Sequence, residues 1–368
     1  MFSLLLFLVH QTSSSIVTTS DRVILTGASY FRPMVAKTYD QLIFVSFPRE
    51  PETKIRLEPE KIAYRPCDVP LPAVGKLGWP LSLDTLANGK LVLGILTSES
   101  LLSVVIDPDT CESKHALLTL HRHGIIDYDD DGVSSAEPVI VVGEESFDVF
   151  LPGHMNCTAG KACRLRYDQN AVLVGTTDFE HVLEGVPWDV SSVGEKEFSW
   201  GYFVTSFDED RTVVRLLDQD LQVKAEKDLP GKAFLHSSEL PGRLSSCRGV
   251  SLHELECVLL DEELRASASV RLDAQPYRRH LRAARLVSLP AGGALLFLVL
   301  QLDGQSEFVS YLQRIDPHGR VGRALPFQDD VCKDLGRLER LTVSRMYDGL
   351  VCLSLSCRHS IRTKCVQT

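Results

Sequence analysis

The densest run of hard oxygen ligands in the chain is Asp127-Tyr128-Asp129-Asp130-Asp131-Gly132. Carboxylates at alternate positions, Asp127, Asp129 and Asp131, followed by a glycine that permits a sharp turn, suit a hard cation such as Ca2+. His121 and His123 alternate as on one strand face and would add donors to the same stretch. A second cluster, Arg278, Arg279, Arg282 and Arg285, has the fork-shaped donors that hold anions. The plain alternatives are a solvated acidic loop and a solvated basic connection. Asn156-Cys157-Thr158 is the one N-x-[ST] sequon, an acceptor for N-glycosylation on a surface loop. Patterns that carry catalysis are missing: there is no GxSxG elbow, P-loop, GxGxxG, HExxH or CxxC.

The balance of charge and cysteine narrows the setting in which these residues work. A net charge of −10 repels phosphate backbones, so nucleic acid is not an expected partner. Met1 to Ser15 reads as a secretion signal, with an apolar run from Phe2 to Val9 that is too short to span a bilayer. No later stretch is a membrane span either, since the most apolar one, Ala294 to Leu300, ends at Gln301 and Asp303. The ten cysteines behind a secretion signal favour disulfides over free thiols, and the absence of any CxxC pair argues against zinc. The close pairs Cys157/Cys163 and Cys247/Cys257 are the easiest to bridge across a turn; pairing among the rest stays open.

The elements that position these residues repeat. Apolar runs begin at Leu42, Leu91, Ser146, Gly201, Leu255, Ala294 and Leu350, and each is followed closely by a second run. A period of about 50 residues with a hairpin in each unit is the pattern of four-stranded propeller blades, whose twisted sheets bury both faces only by stacking radially. Residues 16–368 are therefore expected to form one all-β domain, a monomeric seven-bladed β-propeller. Blade 7 ends at Thr368 without an outer strand, and Arg22–Gly27 belongs to no hairpin, so the N-terminal strand is expected to close the ring. Blade 5, drawn with Leu255–Leu260 as its second strand and Ala266–Asp273 as its third, has a serine-rich inner region and a short step to Ala294. Six blades plus an irregular insertion, or tandem β-sandwiches, are the alternatives. Blade 6 is drawn with Arg285–Pro290 as its innermost strand and Arg320–Phe327 as its outer strand, and Pro276 to Ala284 is the one stretch that could hold a short helix.

The acidic run resembles the first half of an EF-hand loop, but position 12 is Pro138 and no flanking helices are apparent. It is more similar to the calcium loop of FG-GAP repeats in integrin-type propellers, where DxDxDG leads straight into a blade strand. Here it leads into Pro138–Val142 and then Ser146–Leu151. That family has an acid three residues after the glycine, where this chain has Ser135. The resemblance covers about 30 residues of one blade, and it implies a single structural calcium.

The connections that share a face in this register are His121 to Ser135, Gly153 to Lys161, Asp208-Glu209-Asp210 and Tyr277 to Arg285. The function expected is a secreted propeller that recognises an extracellular protein or glycan through this loop-rich face. The rival reading is a hydrolase or lyase at the channel mouth, using acids such as Asp127, Asp129 and Asp208 for proton transfer or metal binding.

Overall fold

The computed structural model describes residues 17–25, 30–37, 42–48, 54–59, 66–72, 79–97, 100–120, 137–152, 157–158, 161–179, 188–193, 201–208, 210–231, 235–240, 243–251, 254–273, 279–289, 292–302, 308–331, 340–345, 350–357 and 360–367. Within them lie seven four-stranded antiparallel sheets. Blade 1 is β2 (Tyr30–Lys37), β3 (Leu42–Pro48), β4 (Lys54–Pro59) and β5 (Cys67–Pro70); blade 2 is β6 (Trp79–Thr85), β7 (Leu91–Leu96), β8 (Ser100–Ile106) and β9 (Ser113–Thr119). Blade 3 is β10 (Val139–Val142), β11 (Ser146–Leu151), β12 (Ala162–Asp168) and β13 (Leu173–Phe179); blade 4 is β14 (Trp188–Val193), β15 (Gly201–Phe207), β16 (Arg211–Asp218) and β17 (Val223–Pro230). Blade 5 is β18 (Leu235–Leu240), β19 (Arg243–Ser251), β20 (Glu254–Leu260) and β21 (Ala266–Asp273); blade 6 is β22 (Arg279–Ser288), β23 (Ala294–Leu302), β24 (Phe308–Ile315) and β25 (Leu325–Val331). Blade 7 is β26 (Arg340–Arg345), β27 (Leu350–Cys357) and β28 (Ser360–Gln367), with β1 (Val17–Leu25) as its outer strand.

The first strand of each blade packs on the first strand of the next, from β2 through β6, β10, β14, β18, β22 and β26 and back to β2. The sheets therefore form a closed ring, a β-propeller. The seam is the one the spare strand implied: β1 pairs antiparallel with β28, Arg22 opposite Thr363 and Ile24 opposite Ile361.

Burial explains why the second and third strands are so apolar. Every residue of β7 and β8 is buried, because neighbouring blades cover both faces. Leu91, Leu93 and Ile95 pack with blade 1, whereas Val92 and Leu96 pack with Phe147, Val149 and Leu165 of blade 3. The blades come close enough at β7 that a Cβ on Gly94 would sit 2.3 Å from Ile140 Cδ1, so any larger residue there would make the Ile140 side chain move.

A second device ties each of blades 3 to 6 to the one before it. Where the third strand turns into the fourth, Asp168, Asp218, Asp261 and Asp316 each use Oδ1 to accept the backbone N–H groups two and four residues on. The residue three positions after the aspartate, Ala171, Leu221, Leu264 or Gly319, has φ between 60° and 79°. This is a hairpin turn followed by a left-handed residue. Leu221 and Leu264 are buried against the preceding blade, with Phe150 and Ala162 and with Phe203 and Val214 respectively. Gly319 lies where a Cβ would meet Ala268 of the preceding blade at 3.1 Å. In blade 2 the left-handed residue is Cys111, φ 62°, and it reaches blade 1 through a disulfide to Cys67.

Three further disulfides stay within blades: Cys157–Cys163 as well as Cys247–Cys257 and Cys352–Cys365, the last two joining directly opposed residues of second and third strands. The two close pairs expected from spacing are both formed.

Three expectations need correction. In blade 5 the second strand is the serine-rich β19, so Leu255–Leu260 belongs to the third strand and Ala266–Asp273 is the outer one. Residues 279–284, assigned to a possible short helix, extend β22, and the inner strand of blade 6 thus begins at Arg279 rather than Arg285. The outer strand of that blade is Leu325–Val331, with only an isolated bridge between Ile315 and Val321 in the stretch before it.

Candidate binding face

The two faces of the ring are built differently. Connections between first and second strands, and between third and fourth, emerge on one face as tight turns such as 86–90, 143–145, 169–172, 219–222 and 289–293. The other face receives the longest connection, residues 120–138, together with 152–161 and 180–187. These three respectively enter blade 3, join its two middle strands and leave it. The two longest, 120–138 and 152–161, both belong to blade 3, whereas 180–187 is matched in length by 71–78 and 332–339 elsewhere in the ring.

Their ends are held firmly. Leu120 is buried in the core between blades 2 and 3. At the other end of the same connection, the Trp188 indole Nε1–H donates to the Glu137 carbonyl at 2.7 Å. Trp188 also stacks on Phe179, centroid to centroid 6.3 Å, so the first and last described residues around 180–187 clamp each other. Phe150 meets Phe179 and Tyr202 edge-on, at 6.0 and 5.0 Å, which joins both strands to blade 4. Cys157–Cys163 ties down the 152–161 connection, and Thr158 Oγ1 donates to Asp178 on β13.

Below these aromatics lies a buried polar network between blades 3 and 4. Asp148, 5% exposed in β11, sits opposite Arg166 of β12 and accepts two bonds from it, Nε to Oδ1 at 2.8 Å and Nη2 to Oδ2 at 2.9 Å. Tyr202 of β15 donates its hydroxyl to Asp148 Oδ2 at 2.7 Å. Burial, followed by the neighbouring carboxylate, pushes the Tyr202 phenol up to about 12. The hydrogen bond to Asp148 holds the Arg166 guanidinium above its ordinary range, against the opposing effect of burial. Arg164, also nearly buried, donates from Nη1 to the Gln219 carbonyl at 3.0 Å and lies over the Tyr202 ring, while its buried Nε has no partner among the described residues. With the carboxylate engaged on both oxygens by Arg166 and Tyr202, this network braces two blades.

The acids and histidines first singled out, Asp127, Asp129, Asp131, His121 and His123, lie outside the described residues, as do the signal stretch 1–15, Asn156 and Arg278. Asp208 and Asp210 sit on the long-connection face, Asp208 N bonding Arg211 O across the turn. Arg279, Arg282 and Arg285 do not lie in a loop of that face: they run along the inner strand β22, where Arg285 is exposed. Six residues of strand separate Arg279 from Arg285 by about 20 Å, so a single ligand shared between them would be an extended anion.

The network of Asp148, Arg166 and Tyr202 is missing from the sequence reading. Its signal was present: a lone carboxylate in the apolar run SFDVFL, and two arginines of equal parity in CRLRYD. Charges inside strands buried on both faces must be paired.

Comparison with known proteins bears on the fold. No protein-family model matches the chain, and no curated protein matches it. Among solved structures, the chain is similar to the Dos1 propeller, at 10% identity over 92% of this chain and 82% of that one, TM-score 0.51. It is similar to BBS1N, solved in complex with ARL6DN, at 11% identity over 95% and 96%, TM-score 0.50. It is also similar to the uncharacterized protein lmo1340 from Listeria monocytogenes EGD-e, at 10% identity over 89% and 92%, TM-score 0.50. At these identities the likeness establishes the propeller and nothing about the ligand.

Proposed function

We propose that this chain is a secreted β-propeller that recognises an extracellular protein or glycan through the face over blade 3, with one structural calcium held by Asp127, Asp129 and Asp131. The observation that carries the reading is that the two longest connections of that face, 120–138 and 152–161, both belong to a blade whose anchors are aromatic, disulfide-bonded and buried. Binding residues concentrate on loops held by a rigid scaffold, and this is such an arrangement. Four disulfides among the described residues fit an oxidising compartment, in keeping with the secretion signal and the Asn156 sequon.

The test uses the chain secreted from cultured eukaryotic cells and probed on arrays of extracellular proteins and of glycans. A variant with residues 122–134 replaced by a Gly-Ser linker should lose the hits while melting, in EDTA, at the temperature of the wild type in EDTA. Hits of undiminished strength in that variant would sink the reading. For the calcium, melting with Ca2+ should exceed melting with EDTA in the wild type, and the difference should vanish in Asp129→Ala with Asp131→Ala. An unshifted wild type would mean the stretch is acidic without being a metal site.

A further inference from the structure

The inner strands of the ring divide by charge. β22, β26 and β2, on three consecutive blades, carry Arg279, Arg282, Arg285, Arg340, Arg345, Arg32 and Lys37 and no acid. The other four, β6, β10, β14 and β18, carry Asp84, Asp189 and Glu239 and no lysine or arginine. Stacking does not ask for this difference, because all seven strands fill the same position, each packed on the next around the ring. The surrounding sequence sharpens it. The chain has 49 acids against 39 lysines and arginines, yet residues 22–39 and 274–302 contain no acid at all. Like charge concentrated at the centre of a ring costs stability through self-repulsion, and a bound anion offsets it.

The cations also share a level. Arg32 stands five residues before the end of β2, Arg340 five before the end of β26 and Arg282 six before the end of β22. Neighbouring inner strands approach within 8 Å at their Cα atoms. One arginine from each of three adjacent strands is thus set at a similar height. Along β22 the arginines recur every third residue, about 10 Å apart, and Arg285 is exposed, so solvent reaches this wall. In sequence, Glu339 precedes Arg340, and Asp40 and Asp348 follow Lys37 and Arg345 by three residues, whereas Arg32, Arg279 and Arg282 have no acid within five.

We infer that the basic arc of β22, β26 and β2 binds an anionic polysaccharide, sulfated or carboxylated, lying along the inner wall of the ring. Six of the seven cations are arginines, whose planar forks match sulfate and carboxylate oxygens in pairs. Their spread over three strands and about 20 Å of β22 exceeds what a lone sulfate or phosphate can span. The adjoining inner strands β14 and β18 supply Ser191, Ser192, His236, Ser237 and Ser238, a polar set suited to sugar hydroxyls. An acidic peptide has the carboxylates without the hydroxyls. The arc belongs to blades 6, 7 and 1 and does not rest on the face over blade 3, so either can fail alone.

The probe is a fluorescent heparin oligosaccharide, titrated by anisotropy against the full chain at about 0.15 M salt, where exposed charges are already screened. Saturable binding is expected, weakened about tenfold or more by Arg32→Gln with Arg279→Gln and Arg282→Gln. It should be unchanged by Arg265→Gln with Arg271→Gln, which removes two well-exposed arginines of blade 5. If melting shows that the triple variant does not fold, arginine modification of the wild type by phenylglyoxal, read by mass spectrometry, decides. Heparin should then shield Arg32, Arg279 and Arg282 and leave Arg265 and Arg271 reactive. No saturable binding, or equal shielding of both sets, overturns the inference. Displacement of the probe by poly-glutamate of equal length at equal concentration overturns it in favour of an acidic peptide, and displacement by millimolar inorganic sulfate in favour of a simple anion site. Heparin binding should survive the Gly-Ser replacement of 122–134; its loss there would place the site on blade 3 and overturn the arc.

Discussion

Replacing Leu221 tests the turn that links blade 4 to its predecessor, because two effects of opposite sign meet at one residue. Leu221 is 4% exposed, packed in the core with Phe150, Trp188 and Tyr202, and held at φ 64°. Leu221→Ala empties the plug but keeps a Cβ in the left-handed region, and should cost about 3 kcal/mol, within the range for buried Leu→Ala. Leu221→Gly empties the same space but removes the left-handed penalty, and an alanine where φ is positive is worse than glycine by about 1 kcal/mol. Glycine should therefore be the less damaging substitution here. At Leu216, 5% exposed within β16, the strand backbone reverses the order, and glycine should be worse than alanine by about 0.5–1 kcal/mol. Urea denaturation followed by fluorescence reads the four variants. For a slope near 3 kcal/mol per molar, the Leu221 pair should differ by about 0.3 M in midpoint, glycine higher. A glycine variant at 221 that unfolds before the alanine variant would refute the reasoning, since the plug would then owe nothing to its backbone conformation.

Other consequences follow from charge and covalent links. Backbone N–H bonds hold Asp168 and Asp316 below the ordinary carboxylate range. A depressed folded value gives stability that is present above the unfolded pKa of about 4 and lost as pH falls through the folded one. Asp168→Asn with Asp316→Asn should flatten the acid limb of a stability curve taken from pH 5 to 2; a limb parallel to wild type would refute this. For Tyr202, pushed up to about 12, the sign is opposite: its contribution is present below the unfolded value near 10 and fades as pH rises towards 12. The alkaline absorbance titration of wild type minus Tyr202→Phe should centre near 12, and a step near 10 would place the phenol in water. Chain entropy ranks two disulfides: removing Cys67–Cys111, separated by 44 residues, should cost about 4 kcal/mol, and removing Cys157–Cys163, separated by 6, about 2 kcal/mol. Equal losses from the two Cys→Ser pairs would show that loop length is not what the bridges act on.

The ring was legible in the sequence because stacking makes a strong demand on composition. Strands covered on both faces have to be apolar throughout, as LVLGIL and LLSVVI are, and the unmatched strand at one end answered a missing strand at the other. Blade 5 was misaligned because its second strand meets the same demand by other means. Ser245 bonds Ser288 of blade 6 at 2.9 Å, and Cys247 is fully buried through its bridge to Cys257. Serines that satisfy each other across blades look like a loop when only one blade is in view. The turn aspartates carried the missing register, because Asp261-Glu-Glu-Leu264 repeats Asp218-Gln-Asp-Leu221, and the strand that ends on that aspartate is the third. The candidate site was less legible for a different reason. Asp148, Arg166 and Tyr202 come from two blades and 54 residues of chain, and only the stacking of the sheets joins them.

The same repeat that obscures function also locates it. In a ring of similar blades, positions that build the stack are constrained alike in each blade: the turn aspartate, the left-handed plug and the large apolar residue that ends the outer strand, Phe179, Leu229 and Leu272. Blade 3 keeps all three, with Asp168, Ala171 and Phe179. It departs from its neighbours where stacking makes no demand, in the length of the connections 120–138 and 152–161. Instability of the blade cannot account for these departures, because its core includes the fully buried Phe147 and Phe150 and it is braced to blade 4 by Arg166 and Tyr202. A well-packed blade that carries the two longest connections of its face is accordingly the first place to test the proposed recognition of a partner.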